Sequence, residues 1–213
     1  MQGLFISMEG PDGAGKSTQI EMLRDYLTDK GYEIVITREP GGTVIGEAIR
    51  QVILNKDYSE MCSNAELLLY AAARAQLVQE VIRPALGAGK AVICDRFIES
   101  SVVYQGIARD MGIETVYAVN EYALEGLRPQ LTIFLDLDAE EGLRRKKHQA
   151  ELDRMETEGL DFHRRVAEGY RMLAEREKER ILRISATLPK EDIHAKIVIA
   201  IEERILSRYI NKI

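Results

Sequence analysis

Residues 10–17 read Gly10-Pro11-Asp12-Gly13-Ala14-Gly15-Lys16-Ser17, a complete G-x-x-x-x-G-K-[ST] pattern. The flanks give the pattern its meaning. Before it, Gly3–Met8 (GLFISM) is a short apolar run of the kind a buried strand requires. After it, Ile20, Leu23, Tyr26 and Leu27 recur at helical spacing and stop at Lys30-Gly31, a basic last turn followed by a glycine. Strand, glycine-rich loop, helix is the arrangement that wraps an anion. Glycines let backbone N–H groups face inward, and the helix adds its positive dipole end. Lys16 carries a point charge to the β- and γ-phosphates, and Ser17 offers a hydroxyl to Mg²⁺. The loop therefore predicts a bound nucleoside triphosphate.

Outward from this loop, strand and helix signals alternate. Glu33–Thr37, Ala91–Cys94, Leu131–Leu135 and Arg180–Ser185 read as further strands. Helical periodicity covers Thr43–Leu54, Asn64–Leu86 with Asn64 as its cap, Ile98–Gly106, Glu114–Glu125, Asp161–Lys178 and Lys190–Tyr209. A basic helix with Arg144, Arg145, Lys146 and Lys147 follows the fourth strand. Strands separated by helices require parallel pairing with crossovers that cover both faces. The expected fold is α/β, a five-stranded parallel sheet flanked by helices with a small helical lid. No linker or repeat divides residues 1–213, so one domain is expected, with the lid at about 142–160. Ligands of such sheets sit beyond the carboxyl ends of the strands, which directs attention to residues 10–17, 38–43, 95–96 and the segment after Asp136.

Composition narrows the partners. The chain has 213 residues, 29 Lys+Arg against 35 Asp+Glu, and a net charge of −6. An extended polyanion needs a basic footprint, so no nucleic-acid partner is expected, and the absence of Trp removes one base-stacking side chain. No apolar run reaches the roughly 18–20 residues of a membrane span, and Glu9 interrupts the first one, so neither a membrane partner nor a leader is expected. Cys62 and Cys94 are too few and too far apart for a disulfide framework or a paired-cysteine metal site. A cytoplasmic protein is the expectation.

The loop alone leaves open a small-molecule kinase, a GTPase switch and a motor-type ATPase. Asn55-Lys56-Asp57-Tyr58 starts like a guanine-reading N-K-x-D segment but ends in Tyr, and no D-x-x-G follows the loop. The third strand ends in Asp95-Arg96, one carboxylate and one cation. The carboxylate suits a metal-water shell and the arginine an anion beside it, which favours an acceptor that is itself a phosphate.

Several segments, read together, carry a resemblance. They are Glu9–Thr18 (EGPDGAGKST), Arg38–Thr43 (REPGGT), Tyr70–Gln76 (YAAARAQ), Asp95-Arg96-Phe97 with Ser100-Ser101, and Tyr104-Gln105-Gly106. In this order the chain resembles the bacterial thymidylate kinase family along nearly its whole length. The resemblance implies transfer of the γ-phosphate of ATP to dTMP, with Mg²⁺, by a homodimer. It implies that Asp12 holds the sugar 3′-hydroxyl and that Glu39, before an X-Pro bond that tends to be cis, lies beside the acceptor phosphate. Tyr70, where the family more often has Phe, would stack on thymine. Arg74 would reach the base or its phosphate, and Arg50 and Arg96 would hold the acceptor phosphate. Ser101 and Gln105 would meet the pyrimidine edge. Lys16, Asp95 and Arg96 become catalytic candidates, with Ser17 and Asp95 toward the metal. Residues 12–14 contain no arginine, so the resemblance assigns the catalytic arginine to the lid. Arg154 is the first choice and Lys147 the second, although Gln149-Ala150 departs from the arginine-glycine pair frequent in the family.

Overall fold

Leu4–Glu9 forms β1, and every one of its six residues is buried. A computed structural model describes residues 3–146 and 153–207 of the chain. β2 (Ile34–Arg38), β3 (Ala91–Asp95), β4 (Leu131–Asp136) and β5 (Ile181–Ser185) complete one sheet in the order β2-β3-β1-β4-β5. All four pairings are parallel, as the alternation of strand and helix signals predicts.

The helices are α1 (Lys16–Asp29), α2 (Val44–Leu54), α3 (Ser63–Leu77), α4 (Arg83–Gly87), α5 (Ile98–Ser101), α6 (Ile113–Leu124), α7 (Ala139–Lys146), α8 (Leu160–Arg176) and α9 (Lys190–Ile201). Side chains of the central strands alternate between two cores. Phe5, Val92, Cys94 and Phe134 face a layer built from α3, α6 and α8. Leu4, Ile6, Met8, Ile93, Ile133 and Leu135 face α1 and α9. Both faces of the sheet are thus covered, which is why its strands read as continuous apolar runs.

Two helical stretches depart from regular geometry. α3 runs through wider turns at Val78–Ile82 into α4. These precede Pro84, which has no N–H for the carbonyl one turn back. α5 runs similarly through Val102–Ala108, and this stretch carries Gln105. One expected boundary is corrected. The cap of α3 is Cys62, in extended backbone and without a side-chain hydrogen bond, so Asn64 lies inside the helix.

Strand register brings chemistry to one edge. Met8 pairs with Asp95, Arg38 with Asp95, and Glu9 with Phe134, so Glu9, Arg38, Asp95 and Asp136 all fall at the carboxyl ends of their strands. Among the described residues no helix is long and apolar enough to cross a membrane.

Candidate active site

The turn after β1 is held by two glycines that no larger residue could replace. Gly10 has φ +135°, and an added Cβ would stand 2.5 Å from the Leu135 carbonyl oxygen. Gly13 has φ +79°, and its Cβ would stand 2.9 Å from the Gly142 carbonyl oxygen on α7. The loop is therefore pressed against β4 on one side and α7 on the other. Gly15, the residue before α1, brings no side-chain cap, so it leaves the first-turn N–H groups to a ligand. Lys16 is buried and donates to the carbonyls of Gly10 (3.1 Å) and Pro11 (3.2 Å), with Asp12 at 3.5 Å. Burial, and after it the Arg96 charge, lower its ammonium below the ordinary value. An incoming phosphate would add negative charge to that of Asp12 beside this cation.

Two cavities adjoin here. One, of about 360 Å³, is lined by Gly13, Gly15, Lys16, Ser17, Thr18 and Asp95. The other, of about 230 Å³, is lined by Tyr70, Arg74, Ser101, Tyr104 and Gln105, among others. Asp12, Glu39, Arg50 and Arg96 line both. The first gathers loop glycines, Lys16 and Ser17; the second mixes aromatic walls with hydrogen-bonding groups. Their boundary carries two arginines and two carboxylates. Among the described charged side chains expected to act on substrate, Arg154 lines neither cavity.

The REPGGT segment is folded by its own side chains. The Thr43 hydroxyl accepts from Gly46 N at 2.9 Å and caps α2, while Glu47 accepts from Gly42 N at 2.8 Å. The Glu39-Pro40 peptide is cis. Arg50 donates to the Pro40 carbonyl at 2.9 Å, which fixes the arginine beside the shared boundary.

Arg74, 1% exposed, is the largest fully buried side chain among the described residues. Its Nε donates to both Glu39 oxygens (3.0 and 2.8 Å) and its Nη2 to Glu39 Oε2 (2.5 Å), Ser101 Oγ (3.1 Å) and the Phe97 carbonyl (3.3 Å). Its Nη1 donates to Asn120. This arginine therefore ties β2's loop, α3, α5 and α6 together. Removing one partner of a buried pair strands the other, at about 3–5 kcal/mol. Arg74→Ala is expected to lose stability of that order by denaturant unfolding, in addition to weakening the nucleotide in the second cavity more than the one on the phosphate loop. A loss below about 1 kcal/mol would mean that Glu39 does not depend on Arg74.

Arg96 follows β3 with φ 69°, a backbone conformation that non-glycine residues rarely adopt. That turn carries its guanidinium back across the loop. Nη2 donates to Asp12 at 2.9 Å and Nη1 to Ser100 (3.4 Å) and Tyr170 (3.3 Å), while the charge sits 5.5 Å from the centre of the Tyr104 ring. Beneath it lies Glu9, accepting from Phe97 N (2.7 Å), Ser100 Oγ (2.7 Å) and Tyr170 Oη (2.8 Å). Burial, and next the charge of Glu99, push the Glu9 carboxyl from its ordinary 4.5 up to about 7. A folded chain that holds this proton more tightly than the unfolded chain gains stability below about 4.5 and loses that gain as pH rises through about 7. The stability of wild type relative to Glu9→Gln should therefore fall by about 1–3 kcal/mol between pH 5 and pH 8. Paired unfolding curves check this; a constant difference across that range would contradict it.

The lid cations separate. Arg145 on α7 donates to the Gly13 carbonyl at 3.2 Å and to Glu141 at 2.7 Å, so it lies on the phosphate loop. Arg154 donates to the Ile53 carbonyl at 2.7 Å and to Glu66 at 2.6 Å, which turns it into a buried cluster away from that loop. Arg144 pairs with Glu141 on the helix surface. Lys147 lies outside the described residues. A charge run gives no direction: Arg144 and Arg145 share Glu141, but only Arg145 also reaches the phosphate loop. Glu9, Tyr170, Glu66 and Asn120 carry no role in the motif reading. Glu9 leaves a trace in the sequence as the charge that ends the first apolar run, and Asn120 as a polar residue on the otherwise apolar Val116, Ala123, Leu124 stripe of α6.

A phosphate loop on α1, a second cavity with an aromatic wall, and arginines between them define a P-loop kinase whose acceptor carries a phosphate. The family model for thymidylate kinase matches residues 8–197. A thymidylate kinase of Geobacillus thermodenitrificans is 48% identical over 207 residues, covering 96% of this chain and 92% of that one. One from Clostridium novyi is 47% identical, covering 92% and 97%. The crystal structure of thymidylate kinase from Ehrlichia chaffeensis superposes with a TM-score of 0.76 at 28% identity, covering 94% and 99%. This chain belongs to the thymidylate kinase family and is an ATP-dependent nucleoside monophosphate kinase.

Proposed function

We propose that ATP lies on Gly10–Ser17 with its γ-phosphate at the boundary of the two cavities, and that dTMP fills the second cavity. The chain transfers the γ-phosphate of ATP to dTMP, giving dTDP and ADP. The observation that carries this reading is the boundary itself, where Asp12, Glu39, Arg50 and Arg96 line both cavities. An oxygen of the dTMP phosphate attacks the γ-phosphorus, and the bond to the leaving ADP oxygen breaks. The nucleophile is already anionic, so the protein's work is positioning and charge stabilisation. Arg50 and Arg96 hold the acceptor phosphate, Asp12 the sugar, Tyr70 and Arg74 the base, and Ser101 and Gln105 its edge. Lys16 and Arg96 face the transferred group.

Mg²⁺ suits the donor side. Asp95 Oδ1 is buried without a hydrogen-bond partner among the described residues, and Asp95 lines the same cavity as Ser17. No cluster of three His, Cys, Asp or Glu stands among the described residues, which fits an ion that takes most of its oxygens from phosphate and water. The ion would neutralise charge on the β- and γ-oxygens.

Among the described lid cations Arg145 bonds to the phosphate loop, at the Gly13 carbonyl, and it is proposed to act on the transferred phosphate. Arg145→Ala should lower kcat about 10–100-fold with less than threefold change in the KM for ATP, as for a contact strengthened in the transition state. An unchanged kcat in steady-state assays would return the role to Arg154 or Lys147.

The chain is proposed to act as one domain with its lid at about 142–160, as a homodimer in the cytoplasm. Exposed Ile45, Val52, Leu68 and Tyr122, on the adjacent helices α2, α3 and α6, support the dimer. Assay of a panel of nucleoside monophosphates with ATP and Mg²⁺ tests the substrate. Preferred turnover of dCMP or AMP would end the reading, and ATP hydrolysis without an acceptor would favour a slow nucleotide switch.

A further inference from the structure

Gln105 is 1% exposed and lines the second cavity. Its Nε2 donates to Glu66 Oε1 at 2.9 Å. Its Oε1 is buried and has no hydrogen-bond partner among the described residues. Glu66, also 1% exposed, is held by two arginines besides. Arg109 reaches Oε1 (3.3 Å) and Oε2 (3.1 Å), and Arg154 reaches Oε2 (2.6 Å). Burial alone would raise this carboxyl, but Gln105, Arg109 and Arg154 outweigh it and hold the group ionised.

A carboxylate accepts and never donates. The amide of Gln105 therefore has one allowed orientation, NH₂ toward Glu66 and carbonyl away from it. Left to itself, a glutamine can present either end to a base. Pyrimidines differ at that point. The imide N3 of thymine carries a hydrogen, whereas N3 of cytosine carries a lone pair. A carbonyl fixed in place welcomes the first and repels the second.

We infer that Glu66 is a specificity-determining positioning residue, which locks the Gln105 amide so that only a pyrimidine with an N3–H is satisfied. The inference rests on the proposed placement of the base edge at Gln105. It gives Arg154 and Arg109 a function as well, since they keep Glu66 charged and aimed. Two stretches distant in sequence from α3, the one carrying Gln105 and Arg109 and the turn carrying Arg154, converge on this one carboxylate.

The test measures kcat/KM for dTMP and dCMP in wild type, Glu66→Gln, Glu66→Asp, Gln105→Ala and the Glu66→Gln/Gln105→Ala double variant. A glutamine at 66 can donate, which frees the Gln105 amide to reverse. Glu66→Gln should shift the dCMP-to-dTMP ratio at least about tenfold toward dCMP, mainly through KM. Glu66→Asp retains an acceptor-only group and should keep the wild-type ratio within about threefold, even where it costs stability. In the Gln105→Ala background, Glu66→Gln should change the ratio less than twofold, because Glu66 acts through the lost amide. Equal loss for both substrates in Glu66→Gln, or a full shift that persists without Gln105, would overturn the inference. If Gln105→Ala shifts the ratio and Glu66→Gln does not, the base-edge placement stands and the role of Glu66 falls. If Gln105→Ala leaves the ratio unchanged, both fall.

Discussion

Lys16→Ala is expected to lower kcat about 10³-fold while the chain stays folded. In the present structure the ammonium donates to the carbonyls of Gly10 and Pro11 and stands 3.5 Å from Asp12. None of these partners depends on the lysine for its own geometry. The loop is shaped by Gly10 and Gly13 and by their packing against β4 and α7. Losing the side chain also removes the cost of burying a charge whose affinity for its proton is already lowered. What disappears is the point charge opposite the β- and γ-phosphates, and with it stabilisation of the spreading negative charge. Coupled measurement of ADP formation, with circular dichroism to follow the fold, checks this. A kcat near that of wild type would show that Gly10–Ser17 is not the phosphate cradle.

Arg96→Ala should cost about 10³-fold in kcat/KM for dTMP with less than tenfold change in the KM for ATP. Arg96 spans the boundary between the cavities, bonded to Asp12 on one side and to Ser100 and Tyr170 on the other. Its backbone sits at φ 69° to achieve this. A side chain that folds its own backbone into a rarely used region has few other ways to reach both sites. Arg96→Lys should recover a minor part of the loss, because it restores charge without the planar fork that engages two groups at once. Equal losses for both nucleotides would indicate a collapsed loop. Full recovery with lysine would mean that charge alone matters at this position.

Legibility in the sequence followed the distance over which each feature is determined. The phosphate loop is contiguous, because an anion cradle is made from successive backbone amides, and eight residues were enough to find it. The strands were visible because burial on both faces makes them uniformly apolar. Asn64 was misread as a cap because a cap depends on one backbone torsion, and Cys62 holds that torsion without any capping chemistry in its side chain. The site's partners were less legible. Arg74 stands out among alanines, but its carboxylate lies 35 residues earlier and its Asn120 partner 46 residues later. Nothing local records that pairing. Nothing local records that Arg144 and Arg145 share Glu141 while Arg154 reaches Glu66, 88 residues earlier. A net charge of −6 is compatible with two anionic nucleotides, since the cations that line the two cavities (Lys16, Arg38, Arg50, Arg74 and Arg96) make the local field whatever the whole chain carries.

Donor and acceptor phosphates are proposed to meet at the boundary formed by Asp12, Glu39, Arg50 and Arg96. A crystal structure with dTMP, Mg²⁺ and a non-hydrolysable ATP analogue tests it directly. The account predicts the dTMP phosphate within hydrogen-bonding distance of Arg50 and Arg96, thymine beside Tyr70 and Gln105, and the γ-phosphate analogue between Lys16 and Arg96. A dTMP phosphate bound away from both arginines, or a triphosphate lying outside Gly10–Ser17, would contradict it.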